Sequence, residues 1–307
     1  PVLAALLKPI VVPVYQFLGA DPAMFAGTIL ASDMGGGPLA AELAATAEAA
    51  GLGGVITGSM LGATIVFTIP VALGILEPED RGALAKGVLC GVIAIPVGVL
   101  TGGLVAGYPL GMVLRNLIPV VLIAILIALG LWKAEKYLII GFVWFGRLIT
   151  AVATVGLVVG GLQAVLGYTL IPGLGSMGEA FGIVGQIAIV LAGAFPLLGL
   201  VDRLLKKPLQ KAGALLKMNS VSVSGVVATL ANSIVTFGMV KEMDRRGKIV
   251  NMAFAVSGAF VFGDHLAFAA GFAPQMIPAL IAGKLTAGVA AVVLAMLLTK
   301  KEEHYET

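Results

Sequence analysis

The sequence predicts an all-α polytopic membrane protein built from inverted repeats, with re-entrant hairpins and broken helices. Three observations predict it. Apolar runs near 20 residues recur along the whole chain, long enough to cross a hydrocarbon layer about 30 Å thick. Only 11% of the 307 residues are charged and 59% are hydrophobic, whereas soluble domains carry about 25% charged residues. Finally, two distant stretches of the chain match each other in their glycine and polar positions. The apolar runs lack the period-two alternation of a membrane β-barrel.

The segments come in order. Residues 1–7 read as the tail of a helix whose beginning is absent, because the chain opens at Pro1 without a signal-peptide pattern. Stretches 8–18 and 203–217 are less apolar and suit helices lying at a bilayer surface. Apolar segments cover roughly 22–48, 50–76, 83–106, 112–131, 137–166, 181–201, 221–240, 249–272 and 276–299. In 22–48 the run Ser32-Asp33-Met34-Gly35-Gly36-Gly37-Pro38 interrupts at mid-depth, and in 221–240 Asn232-Ser233 does the same. Both read as the tips of hairpins. The 42 glycines permit such breaks and let helices approach closely. The single cysteine, Cys90, excludes a disulfide within the chain.

A shift of 200 residues places Leu30-Ala31-Ser32-Asp33 on Leu230-Ala231-Asn232-Ser233, and Thr57-Gly58 on Ser257-Gly258. One residue of slip then matches Gly62-Ala63-Thr64 to Gly263-Asp264-His265 and Phe67 to Phe268. Charge gives the orientation. Basic stretches 202–217 and 241–248 flank 221–240. The positive-inside rule puts both on the cytoplasmic side if 221–240 turns back at Asn232-Ser233. Counting back through loops 167–180, 132–136, 107–115 and 77–82 places 46–51 outside, so the first hairpin enters from the opposite face. The predicted organisation is a first inverted repeat over 1–106 (hairpin 22–48, broken helix 50–76), linking helices over 107–180, and a second inverted repeat over 181–307 (hairpin 221–240, broken helix 249–272). Inverted repeats whose broken helices meet near the midplane are a transporter architecture.

Four elements are expected to converge: the tip Ser32–Gly37, the break Ser59–Thr64, the tip Asn232–Thr236, and Gly263-Asp264-His265. Buried carboxylates are costly unless paired, so Asp33 and Asp264 across one cavity suit a cationic ligand such as an ammonium. Ser32, Ser59, Thr64, Asn232 and Ser233 suit a hydroxyl. Phe67 and Phe268 would supply an apolar wall or a cation–π face. Each has a plainer role beside the binding one: helix capping for Asp33, Asp264, Asn232 and Ser233, core packing for His265 and the two rings. No phosphate loop, Cys-x-x-Cys pair or metal-ligand spacing is present. Val261-Phe262-Gly263-Asp264 lacks the first glycine of the Gly-x-Gly-Asp pattern of intramembrane aspartyl proteases, and Ser32 rather than Tyr precedes Asp33. No catalytic residue, metal, cofactor or nucleic-acid partner is therefore assigned.

The motifs Ser32-Asp33-Met34-Gly35-Gly36, Gly58-Ser59-Met60-Leu61-Gly62-Ala63-Thr64 running on to Gly74, and Phe262-Gly263-Asp264-His265-Leu266 resemble the ethanolamine-utilisation permease family (EutH type). The likeness runs from about residue 1 to 299; the family pattern carries Asn at the position of Ser32 and Tyr at that of Gly37. Family members carry an extra N-terminal helical segment. The resemblance implies uptake of ethanolamine across the bacterial inner membrane by a multi-pass protein. It also implies a fold resembling concentrative nucleoside transporters, an analogy that carries no substrate with it. On this reading Asp264 and Asp33 offset desolvation of the ammonium, Asn232, Ser233, Ser59 and Thr64 bind the hydroxyl, and His265 can couple a proton. Proton coupling, sodium coupling and a homo-oligomer in the lipid are all compatible with it. The rival readings are a cation-coupled carrier of another small polar solute, such as a nucleoside, and an intramembrane aspartyl-type enzyme.

Overall fold

The computed structural model describes residues 2–31 and 36–305, and among these it is all-helical. Among the described residues five helical runs are long and apolar enough to cross a bilayer: Ala47–Ile75, Pro78–Val105, Leu110–Ala134, Lys136–Leu166 and Pro274–Lys300. The long run Leu110–Leu166 is divided by a kink at Ala134, whose φ of −146° and ψ of 36° leave the helix. Leu122, Ile125, Leu126 and Leu129 point outward and exposed. In water such a band would be a liability; against lipid tails it is the expected surface.

The centre is built on helix Arg81–Val105, which packs against Ile277–Tyr305 and Arg245–Gly258. Glycines set the spacing. A Cβ on Gly283 would lie 2.8 Å from the carbonyl oxygen of Gly98, so the backbones of the two helices touch there. Small residues allow that approach where no hydrophobic driving force separates helix from lipid.

Two hairpins flank this centre. The second has arms Ser220–Ala231 and Ser233–Met239. The Thr229 and Thr236 hydroxyls lie 2.7 Å apart, and Thr236 Oγ1 donates to the Gly225 carbonyl at 2.9 Å. The arms therefore fold back on each other at Asn232. Asp244 fastens the base: it accepts from the amides of Asn219 and Gly247 and from the Ser222 hydroxyl. Burial alone would raise the Asp244 carboxyl, but these donors outweigh it and hold the carboxyl below its ordinary range. The first hairpin runs through Ala23–Phe25, Ala26–Leu30 and Gly36–Leu43. Its base is fastened by Asp21, which accepts from the amides of Ala23 and Ala45 while its own amide donates to Asn116 Oδ1.

The two bases lie at opposite ends of helix Arg81–Val105. That of the second hairpin is tied to Asp80 through the Lys248–Asp80 ion pair. That of the first shares a cavity of about 580 Å³ with Tyr108, Gln275 and Met276.

Three boundaries differ from the sequence reading. Segments 181–201 and 203–217 form one helix, Met177–Leu215, rather than a span followed by a separate surface helix. The second broken helix starts at Arg245, four residues earlier than expected, because Asp244 caps it. The break expected at Ser59–Thr64 in segment 50–76 is not an unwinding: the chain stays helical from Ala47 to Ile75 but winds as π-helix over Gly51–Gly62 and Thr64–Thr68. π-winding keeps backbone groups bonded, which lipid requires.

Candidate functional site

The second broken helix is a true break. Arg245–Gly258 ends, residues 259–263 leave helical geometry, and Asp264–Phe272 begins again. The freed amides do not go unpaired. Phe260 N donates to the Thr229 carbonyl at 3.1 Å and Phe262 N to that of Leu230 at 2.9 Å. The break thus pairs with the arm of the second hairpin, strand-like, just before its tip. A Cβ on Gly263 would collide with the Ala231 carbonyl oxygen, so only glycine lets the two backbones meet. Phe260 adopts φ +60°, a left-handed conformation that costs an aromatic residue about 1 kcal/mol or more and clusters at functional sites.

The described parts of the four expected elements share one neighbourhood. Thr64 Oγ1 donates to the Met60 carbonyl at 2.6 Å and approaches that of Val256 at 3.1 Å, joining the π-wound helix to the end of the helix before the break. The Phe67 ring meets Phe260 edge-on at 5.6 Å, and Phe260 lies 5.3 Å from the His265 ring. Ala31, just before the first hairpin tip, lies against the π-wound helix: a Cβ on Gly58 would lie 3.3 Å from Ala31 Cβ, and one on Gly62 would collide with it. A Cβ on Gly37 would lie 3.0–3.2 Å from the rings of Phe268 and Phe272.

Individual residues sort as follows. Ser59 is buried and its hydroxyl donates to the Ile56 carbonyl at 2.9 Å. Asn232 caps the second arm, accepting from Ile234 N at 2.9 Å. Ser233 is fully buried, and its hydroxyl has no partner among the described residues. Asp264 opens the helix after the break and is half-buried; His265 beside it is buried. Phe67 pairs edge-on with Phe260, and Phe268 stacks on Phe272 at 5.0 Å. Ser32 and Asp33 lie outside the described residues.

Three residues escaped the sequence reading. Phe260 links Phe67 to His265. Ser257, in the last turn before the break, is buried with a hydroxyl that has no partner among the described residues. Lys284, on the final helix, is 1% exposed, and its ammonium donates to the Ser59 carbonyl at 2.7 Å. A lysine in an otherwise apolar span was the available signal.

At the end of the bundle where the first hairpin has its base, the 580 Å³ cavity is lined by Thr46, Glu48, Tyr108, Phe272 and Gln275. The Tyr108 hydroxyl donates to Met276 Sδ at 3.1 Å. Burial, helped by the negative charge of Glu48, raises the Tyr108 phenol above its ordinary range. The hydroxyl therefore stays neutral and able to donate.

The chain was compared with known proteins. The family model "Ethanolamine utilisation protein, EutH" matches residues 1–298. The chain is 56% identical over 301 residues to the "Probable ethanolamine permease EutH" of Listeria monocytogenes, covering 98% of this chain and 81% of that protein. It is 49% identical over 327 residues to the protein of the same name from Escherichia coli, covering 99% and 80%. It is 46% identical over 299 residues to "Uncharacterized protein YxeR" of Bacillus subtilis, covering 97% and 81%. No solved structure matches. A helical membrane bundle with polar, non-α backbone at its centre and this similarity along its length belongs to the ethanolamine utilisation protein EutH family.

Proposed function

We infer that the protein takes up ethanolamine across a bacterial membrane. One observation carries this: relatives named as ethanolamine permeases are 48–56% identical along 98–99% of the chain. It acts as a permease rather than an enzyme.

Ethanolammonium is a cation at one end and a hydroxyl at the other, and the central neighbourhood offers both kinds of partner. Asp264 accepts the ammonium, helped by Asp33. The Ser233 hydroxyl, buried beside the break, binds the substrate hydroxyl with Asn232, Ser59 and Thr64 around it. His265 moves a proton if uptake is proton-coupled. The hairpins belong to two inverted repeats that expose the site alternately to either side of the inner membrane. The opposite placement of their bases, fastened by Asp21 and Asp244, supports this reading.

The experiment is uptake of labelled ethanolamine into proteoliposomes. Saturable uptake above protein-free vesicles, blocked by unlabelled ethanolamine, is the expected result. Asp264→Asn is expected to abolish it while leaving the melting temperature unchanged. Wild-type uptake no greater than leak would refute the function, and wild-type affinity in the Asn variant would refute the role of Asp264.

A further inference from the structure

Four membrane spans end around the cavity of about 580 Å³ at the base of the first hairpin. Ala47–Ile75, Leu110–Ala134 and Pro274–Lys300 begin there, and Pro78–Val105 finishes there. Of the lining residues, Glu48 and Gln275 stand second in their spans, and Tyr108 lies in the short loop between two others. Groups at span ends sit at the level of water and headgroups. The cavity is therefore open to a solute arriving from one side of the membrane.

Its chemistry is uneven. Among the described lining residues Glu48 alone carries a charge. Arg115 lines a neighbouring cavity of about 500 Å³, which shares Ala45 and Thr46 with it. Glu48 is in the first turn of Ala47–Ala50, where a carboxylate is favoured anyway. Thr46 already caps that turn, accepting from Ala49 N at 3.2 Å, so the exposed carboxylate is left to the cavity. Tyr108 is placed with care. A Cβ on Gly51 would collide with its hydroxyl, so a glycine makes room for the phenol. That hydroxyl donates to Met276 Sδ, a weak acceptor that a better one displaces. Phe272 adds a half-buried ring whose face suits a cation.

The walls belong to the elements that frame the central site. Ala41 is on the second arm of the first hairpin and Gly51 opens the π-wound helix. Phe272 ends the helix that Asp264 begins, eight residues or about 12 Å away at 1.5 Å per residue. Phe268, stacked on Phe272 at 5.0 Å, continues in the same direction.

We propose that this cavity is an outer capture site for a small hydroxyl-bearing ammonium: Glu48 holds the ammonium, the Phe272 ring flanks it, and the Tyr108 hydroxyl binds the substrate hydroxyl before the cation moves on towards Asp264. The outward placement follows the distribution of Lys and Arg, which predicts residues 46–51 outside. The inference rests on the ethanolamine-uptake reading and adds a second, peripheral site to it.

The test labels a thiol at the cavity. Gln275→Cys is treated with a membrane-impermeant maleimide in right-side-out spheroplasts, and the parent protein, whose Cys90 is buried, gives the background. At about ten times its half-protecting concentration, ethanolamine is expected to slow labelling about tenfold by simple occupancy. It is expected to do the same when Asp264→Asn disables the central site. Adding Glu48→Gln is expected to raise the half-protecting concentration about tenfold, the loss of one charge-assisted contact, while Glu48→Asp restores part of it. Glu48→Gln is also expected to flatten the fall of low-substrate uptake with ionic strength, which a merely structural residue would not do. Tyr108→Phe is expected to bring protection by ethanolamine down to that by ethylamine, which lacks the hydroxyl. An ethanolamine-transporting protein whose Gln275→Cys form is labelled equally fast with and without ethanolamine overturns the proposal. So does protection unchanged by Glu48→Gln, and so does labelling seen only in inverted vesicles. An ethanolamine preference that survives Tyr108→Phe overturns the hydroxyl contact. Wild-type uptake no greater than leak sinks the ethanolamine reading instead, so the two failures are distinct.

Discussion

Two helices pass through the polar centre of this protein, and they solve the same problem in opposite ways. The run 47–75 carries five glycines between Gly51 and Gly62, yet it never opens. It widens into π-winding and keeps its backbone bonded along its own axis. The chain over 245–272 does open, at 259–263, and hands its freed amides to Thr229 and Leu230 of the neighbouring hairpin. The difference teaches what lipid permits. Every backbone group must be satisfied, either by a neighbour along the helix or by a neighbour across it. The choice is set by what lies alongside. The first hairpin presses glycine against glycine, since a Cβ on Gly27 would collide with the Gly53 carbonyl oxygen. The second offers carbonyls near its tip.

The comparison can be broken most severely at Gly263. Gly263→Ala would push a methyl group into the Ala231 carbonyl and part the break from the hairpin. We expect a loss of about 2–3 kcal/mol, the upper range for overpacking, seen as a lowered melting temperature together with loss of ethanolamine uptake. Gly62→Ala, in the π-wound helix, meets the Ala31 side chain instead. It is expected to cost less, about 1–2 kcal/mol, and equal losses would mean that the two helices do not differ as described.

Next come the carboxylates at the hairpin bases. Asp244→Ala removes the acceptor of three donors, a loss of roughly 1–2 kcal/mol by analogy with helix caps. Because the Asp244 carboxyl is lowered in the folded state, its contribution is present above the ordinary carboxylate range, near pH 4. It is lost as pH falls below that range through the lowered folded value. Amide exchange at Asn219 and Gly247 should therefore accelerate only in acid, and the Ala variant should show no such acid step.

Smaller still, Thr64→Val keeps the shape and removes the hydroxyl that joins the two helices. The expected loss is about 1 kcal/mol, measured as a melting shift, with a larger effect on uptake than on stability if the contact tunes the site. Smallest and opposite in sign, Gly74→Ala lies in the regular helix Ile69–Ile75, where a Cβ would meet nothing within 4 Å. It is expected to stabilise by about 0.5–1 kcal/mol. A loss there would show that the chain beyond the π-winding also has to adapt.

Much of this was legible in the sequence for physical reasons. Apolar length announces membrane helices, Asn232 announces a cap, and Gly263-Asp264-His265 announces a break because polar groups are rare at that depth. The π-winding was not legible, since α- and π-helix draw on the same residues and differ only in hydrogen-bond register. Lys284 was missed for a specific reason. The sequence signal is a polar position matched in both halves, and the offset near 197 that aligns Gly91 with Gly288 places Lys284 on Gly87. In the structure Gly87 packs against Met252, so no partner lysine could stand there. Asp21 and Asp244 read as ordinary loop acids because their roles depend on chain segments brought together only by folding.

The pairing of Phe260 and Phe262 with Thr229 and Leu230 also governs how the molecule is made. The tip of the second hairpin cannot be finished until the ribosome has added some thirty further residues, whereas the first hairpin finds its glycine-lined seat in the very next helix. The halves therefore mature on different schedules during insertion. The second hairpin completes this backbone pairing only once residue 262 has been made.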